Sequence, residues 1–177
     1  METLDAYDWM ILQELQSNGR LTNAELAQRV GLSAAPCWRR VRALEKGGYI
    51  LGYRAVLNRR KVGLGVLAFV RLDAERNTGD ATRALEEAIR QLPEVISCHY
   101  ISGNGTFELQ VVASDLDSFS RLALNSLINL PNVKDLHTSF SLGEVKAEGA
   151  LPLSRVGAAP ARAARLPVAG AKGRRQS

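Results

Sequence analysis

The chain has 177 residues, 46% of them hydrophobic, and can bury one or two small cores. It shows no signal peptide and no apolar run near the ~18 residues that span a bilayer, which argues against a membrane partner and places it in the cytoplasm. Its net charge of +5 is divided: residues 1–61 hold 10 Lys and Arg against 6 Asp and Glu, residues 62–153 hold 7 against 12, and residues 154–177 hold 6 against none. A nucleic acid is therefore attracted by the two ends and repelled by the middle.

Leu4-Asp5-Ala6-Tyr7-Asp8 opens a first helix, with Asp5 as N-cap and Leu4 and Trp9 placed as a hydrophobic staple. Leu4, Ile11, Leu12 and Leu15 recur at helical spacing, and Asn18-Gly19 ends the run. A second helix starts at Thr22, which forms a capping box with Glu25, and turns Leu26, Ala27 and Val30 inward. Gly31 supplies the left-handed exit, Ser33 caps a third helix, and Pro36 is confined to its first turn. Three residues of turn between two helices is the spacing of a DNA-binding helix-turn-helix.

At about 100° per residue, Cys37, Val41 and Leu44 fall on one side of the third helix and Ala35, Arg39, Arg42 and Lys46 on the other. The small Ser33, Ala34 and Ala35 let the backbone approach a groove closely. Trp38 and Arg39 are the first long side chains able to reach base edges or phosphates. A merely solvated charged face is the plainer reading of these cations; the flanking helices and turn favour double-stranded DNA. Tyr49 to Leu57 is strand-like by its β-branched and aromatic content, and the module ends near Asn58.

From Gly63 the pattern changes. Val66 to Leu72 reads as a strand, Thr78 to Leu92 as an amphipathic helix, Val95 to Ile101 and Phe107 to Ala113 as strands around a Gly-rich turn. A helix capped near Asp115 runs through Phe119, Leu122, Leu127 and Leu130, and Val133 to Leu142 closes the set. The order βαββαβ is that of a ferredoxin-like sheet with both helices on one face. Val66, Ala68, Val70 and Leu72 face one way and Leu67 and Phe69 the other, so the uncovered face calls for a second copy and a homodimer. Cys37 and Cys98 lie far apart among apolar neighbours without metal-ligand spacing, and read as buried thiols of a reducing compartment.

Several phrases carry a family resemblance. They include Leu4-Asp5-x-x-Asp8-x-x-Ile11-Leu12, Gly19-Arg20-Leu21-Thr22, Glu25-Leu26-Ala27-x-x-Val30-Gly31-Leu32-Ser33 and Arg39-Arg40-Val41-x-x-Leu44-Glu45. Gly52-Tyr53-x-Ala55-Val56-Leu57, Ala68-Phe69-Val70, Leu92-Pro93-Glu94-Val95, Leu130-Pro131-x-Val133 and His137-Thr138-Ser139-Phe140 continue them. From Leu4 to about Leu153 the chain resembles the Lrp/AsnC (leucine-responsive, feast/famine) transcription regulators. The resemblance implies an α+β protein in which a winged-type helix-turn-helix domain (1–58) is joined by a strand linker to a ferredoxin-like, ACT-like sensor domain (63–153). It implies a dimer joined through linker strands and sheets, often assembled into tetramers or octamers.

In relatives a small effector, commonly an amino acid, lies between neighbouring sensor domains, and the matching positions are Ser102, Gly103, Asn104, Thr106 and Thr138. Exposed backbone N–H groups of a Gly-rich turn suit a ligand carboxylate. Many relatives read Gly-Asp-Tyr-Asp at this turn, whereas Asn104 and Thr106 stand at the two acidic positions here. Glu108, on the same strand face as Thr106, is the remaining acceptor for a ligand ammonium. Trp9 and Ala34-Ala35 also depart from the family pattern.

The segment 154–177, rich in Ala, Gly, Pro and Arg, cannot fold alone; it reads either as a disordered, solubilising tail or as a polycationic arm on phosphate. No cofactor or metal motif is present. His99 and His137 lie in strands without a nucleophile or metal spacing, so a haem- or siroheme-processing enzyme of this plan is a weaker alternative than an effector-independent DNA-organising protein.

Overall fold

The carboxylate of Asp5 accepts the N–H groups of Tyr7 and Asp8 while Asp8 returns a bond to the Asp5 N–H, and α1 (Ala6–Ser17) grows from this box. The computed structural model describes residues 4–76, 78–102, 106–147 and 149–153. Thr22 and Glu25 exchange the same pair of bonds at the start of α2 (Asn23–Val30), which ends at Gly31 with φ +71°, a left-handed conformation that glycine adopts at no steric cost. After three residues α3 (Ala34–Lys46) begins. Ile11, Leu26, Ala27, Val30, Cys37 and Leu44 form a buried core, with Leu15, Val41 and Ile50 packed against it.

Ser33 holds the N-cap position of α3, yet its hydroxyl makes no cap hydrogen bond. The third helical residue, whose N–H such a cap would serve, is Pro36, which has none. The strand expected over Tyr49 to Leu57 is corrected as well: none of these residues joins a sheet, and Leu51 and Val56 are 96% and 95% exposed. A strand needs a ladder partner, and the described residues of one chain supply none here.

The second unit holds β1 (Val66–Ala74), α4 (Gly79–Arg90), β2 (Val95–Ile101), β3 (Thr106–Ala113), α5 (Leu116–Asn125) and β4 (Val133–Phe140). The strands are antiparallel in the order β2-β3-β1-β4. Ala68, Val70, Leu72, Phe107, Leu109 and Val111 pack with Leu85 and Ile89 of α4 and Phe119 of α5, so both helices share one sheet face. The helix expected through Leu130 stops earlier. Ser126 leaves helical geometry, a single 3-10 turn spans Leu127–Asn129, and Leu130 is extended as the residue before Pro131.

The opposite sheet face is mixed and not the apolar surface that Leu67 and Phe69 alone implied. Phe69 is flanked in register by Gln110 and Ser139, and Arg71 by Glu108 and His137. Cys37 is buried as expected, and burial raises its thiol pKa; Cys98 is exposed, because β2 is an edge strand.

The first unit takes in Met1–Arg54 and, of the stretch from Glu148 onward, the described residues 149–153; the second is Ala55–Ala147. Gly103 to Gly105 and the segment 154–177 lie outside the described residues. Among the described residues no helix is long and apolar enough to cross a membrane.

Candidate nucleic-acid interface and sensor-domain site

The helix-turn-helix is held at its corner by Asn23, which donates through Nδ2 to the carbonyl of Ala34 at 2.8 Å. The first residue of α3 is thereby tied to the first turn of α2. Inward-facing Cys37 and Leu44 then fix the rotation of α3, which leaves Ser33, Ala34, Ala35, Arg39, Arg42 and Lys46 exposed together. Arg42 pairs with Glu45 at 3.2 Å but keeps a side chain that is 66% exposed. Among the described residues Arg39 and Lys46 engage no carboxylate. Cations left unpaired beside a run of small residues are what a phosphate-lined groove can accept.

Trp38 stands on the flank of this face. It is exposed and lines a cleft of roughly 360 Å³ with Leu15, Gly19, Leu21, Arg42 and Tyr53. Tyr53 donates to Glu45 at 3.3 Å, and burial together with the Glu45 charge raises its phenol pKa. The carboxylate that partners Arg42 is thus itself held in place.

Arg40 has a different role from its neighbour. Its guanidinium lies 2.8 Å from Asp8 and 2.7 Å from Asp5, and those two carboxylates, Asp8 first, favour its charged form. It also sits 5.4 Å from the ring centre of Tyr7. Asn23 and Arg40 hold α3 in place, and spacing alone did not single out either residue, because both partners come from other helices.

In the sensor unit Thr106 and Glu108 lie on the sheet face that the helices leave open. Thr106 donates to Asp73 at 3.0 Å, and Asp73 also receives Arg71 at 3.2 Å and faces His137 at 3.6 Å. Glu108 is opposite Arg71 on one side and His99 on the other. Ser102 is exposed just beyond β2, and Gly103 and Asn104 fall outside the described residues. Thr138 is opposite Val70 in the ladder and therefore on the helix-covered face, away from Thr106 and Glu108 of the same chain. The sequence reading missed Asp73, near the end of β1, because only strand register brings it beside Thr106.

Among the described residues no group of three or more His, Cys, Asp or Glu is arranged to hold a metal ion.

Comparison with known proteins matches both units. A winged helix-turn-helix DNA-binding model fits residues 4–50, and an Lrp/AsnC ligand binding domain model fits residues 67–151. The leucine-responsive regulatory protein of Escherichia coli strain K12 is 38% identical over 148 residues, covering 84% of this chain and 90% of that protein. A transcriptional regulator of Neisseria meningitidis, solved in complex with L-Met, is 42% identical with a TM-score of 0.79 over 85% of this chain and 97% of that one. An AsnC family transcriptional regulator from Agrobacterium tumefaciens is 30% identical, with a TM-score of 0.78 over the same shares.

Proposed function

The chain belongs to the Lrp/AsnC family of DNA-binding transcriptional regulators, and from that premise we propose that α3 is its recognition helix and that an amino acid bound at the sensor unit modulates it. The observation that carries this reading is the coexistence, on one exposed face of α3, of Ser33, Ala34 and Ala35 with the long cations Arg39, Arg42 and Lys46. The small residues admit the helix to the major groove, Arg39 reaches a base edge, and Arg42, Lys46 and Trp38 meet the backbone beside it. The protein works as a homodimer, assembled further into tetramers or octamers, so two such helices address half-sites about one helical turn or a multiple apart. It is a cytoplasmic regulator and not an enzyme.

Leu51, Val56 and Leu57, exposed and outside the sheet of this chain, support a linker that pairs with a second copy. The effector reading rests on the L-Met complex of the Neisseria regulator and on the turn from Ser102 to Thr106. Backbone N–H groups at Gly103 and Asn104 take the carboxylate, and Glu108 takes the ammonium. Thr138 joins the site from a neighbouring sensor domain, since it faces away from Thr106 within its own.

Selection of bound duplexes from a random pool, with and without L-methionine, tests the reading. A recurring pseudo-palindromic motif is the expected result, with its yield altered by the amino acid. Enrichment of no motif would replace it with a sequence-independent DNA organiser.

A further inference from the structure

The sheet of the second unit has two edges, and they differ in chemistry. β4 carries Lys134 and Asp135, charges of the kind that keep an edge from pairing with another chain. β2, at the other edge, reads Val95-Ile96-Ser97-Cys98-His99-Tyr100-Ile101 and holds no Asp, Glu, Lys, Arg or Pro. Among the described residues no strand takes its outer side. Ile96 and Tyr100 are 57% and 53% exposed, and the Tyr100 ring is braced from behind by buried Phe107, 4.9 Å away between ring centres. Ile96, Cys98 and Tyr100 line a cleft of roughly 450 Å³ with Glu86 and Arg90 of α4.

This edge is its own complement. Antiparallel strands related by a two-fold axis at Cys98 set that residue opposite its counterpart, and set Ile96 opposite Tyr100 of the second copy, an aliphatic–aromatic cross-strand pair. The same axis reverses α4, so a helix flank bearing Glu86 and Arg90 one turn apart brings acid to base. Within the chain Arg90 pairs with Glu86 at 3.4 Å and with Glu87 at 3.2 Å on an exposed surface, where such bonds are weak and exchange readily.

We propose that β2 is a second interface between copies of this chain, at which dimers join edge to edge, β2 against β2 and α4 beside α4. The dimer proposed above packs the open sheet face, so the two interfaces do not compete. Dimers linked in this way close into a tetramer of two or an octamer of four. A seven-residue edge is a small contact, and ring closure that engages several at once holds it. The inference deepens the homo-oligomeric reading, on which it rests, and is independent of the effector site.

Dibromobimane, which bridges two nearby thiols and fluoresces once it has done so, is added to the full protein, in which Cys98 is exposed and Cys37 buried. A fluorescent covalent pair of chains on a denaturing gel is expected, and its loss in Cys98→Ser. Ile96→Lys puts a charge on the edge; it should lose the bridge and fall in light scattering to the mass of a dimer, with circular dichroism unchanged. Glu86→Arg and Arg90→Glu each set like charges across the axis and should each be dimers. Mixed in equal amounts, they should regain the wild-type mass and the bridge, because acid and base then meet only between chains.

A wild type that is a dimer or larger, and takes up monobromobimane at Cys98 without being bridged by the bifunctional reagent, would overturn the edge pairing and leave the homo-oligomer standing. A monomeric wild type would overturn both. Retention of the wild-type mass by Ile96→Lys would overturn β2 as the joint between dimers, and a mixture of the two charge variants that stays dimeric would overturn the pairing of α4 with α4.

Discussion

Arg40 of α3 donates to Asp8 of α1 at 2.8 Å across 32 residues of sequence, whereas the adjacent Arg39 engages no carboxylate among the described residues. Two neighbouring arginines therefore do different work, one locking the helix to the domain and the other facing out from it.

Arg39→Ala should leave the melting temperature unchanged and weaken binding to a selected duplex by about 1 to 3 kcal/mol, the usual worth of a base contact. Arg40→Ala should do the reverse in kind: it strands Asp8, whose side chain is only 17% exposed, and lowers stability. Paired thermal melts and anisotropy titrations at fixed salt read both. If Arg39→Ala binds like wild type, its assignment as a reading residue fails.

The helix-turn-helix was legible because its signals are local. Capping boxes at Asp5 and Thr22, the left-handed Gly31 and the inward set of Cys37, Val41 and Leu44 all lie within a turn or two of what they specify. The sheet was legible as an element order. Its mixed open face was not, because Arg71, Glu108 and His137 become neighbours only through register. The linker failed as a strand for a related reason: β propensity at Tyr49 to Leu57 describes a chain ready to pair, and pairing needs a second strand. Asp73 escaped notice beside Thr106 because 33 residues separate them.

Acid should unfold the protein from its helix caps. Asp5, Glu25 and Asp115 have their pKa values lowered chiefly by backbone N–H groups of Asp8, Thr22 and Ser118 respectively. A folded pKa below the unfolded one means that the unfolded chain binds more protons; the stabilisation is full above the ordinary carboxylate values and is lost as pH falls through the folded ones. Urea midpoints should thus fall below about pH 4.5, and Glu25→Gln should flatten part of that fall. At neutral pH Asp5→Ala should cost about 1 kcal/mol, the usual worth of an N-cap.

Phe69 is 43% exposed on the open sheet face, next to half-buried Leu67 on the same side. Packing a second sheet on this face buries an aromatic ring, and a carboxylate in its place would be desolvated on association. Phe69→Glu should convert the dimer to monomer in light scattering at micromolar concentration while leaving the circular dichroism spectrum intact. A dimer that survives the change would move the interface elsewhere, to the linker first.

The sensor site is tested by ligand-induced stability. L-Methionine and the other common amino acids are added to the full protein, and a ligand at 100 times its Kd should contribute about 2.7 kcal/mol, seen as a raised melting temperature. Gly103→Val should erase that shift by adding a branched side chain at the turn. Glu108→Gln should weaken it, because a neutral amide accepts an ammonium less strongly than a carboxylate does. Asp73 offers the contrast: it already receives Thr106 and Arg71, so Asp73→Asn should change the stability of the free protein more than it changes the ligand shift. The reverse pattern, with Asp73→Asn abolishing the shift and Glu108→Gln leaving it whole, would transfer the ammonium site from β3 to the end of β1. A shift that persists in Gly103→Val would remove the turn from the site altogether.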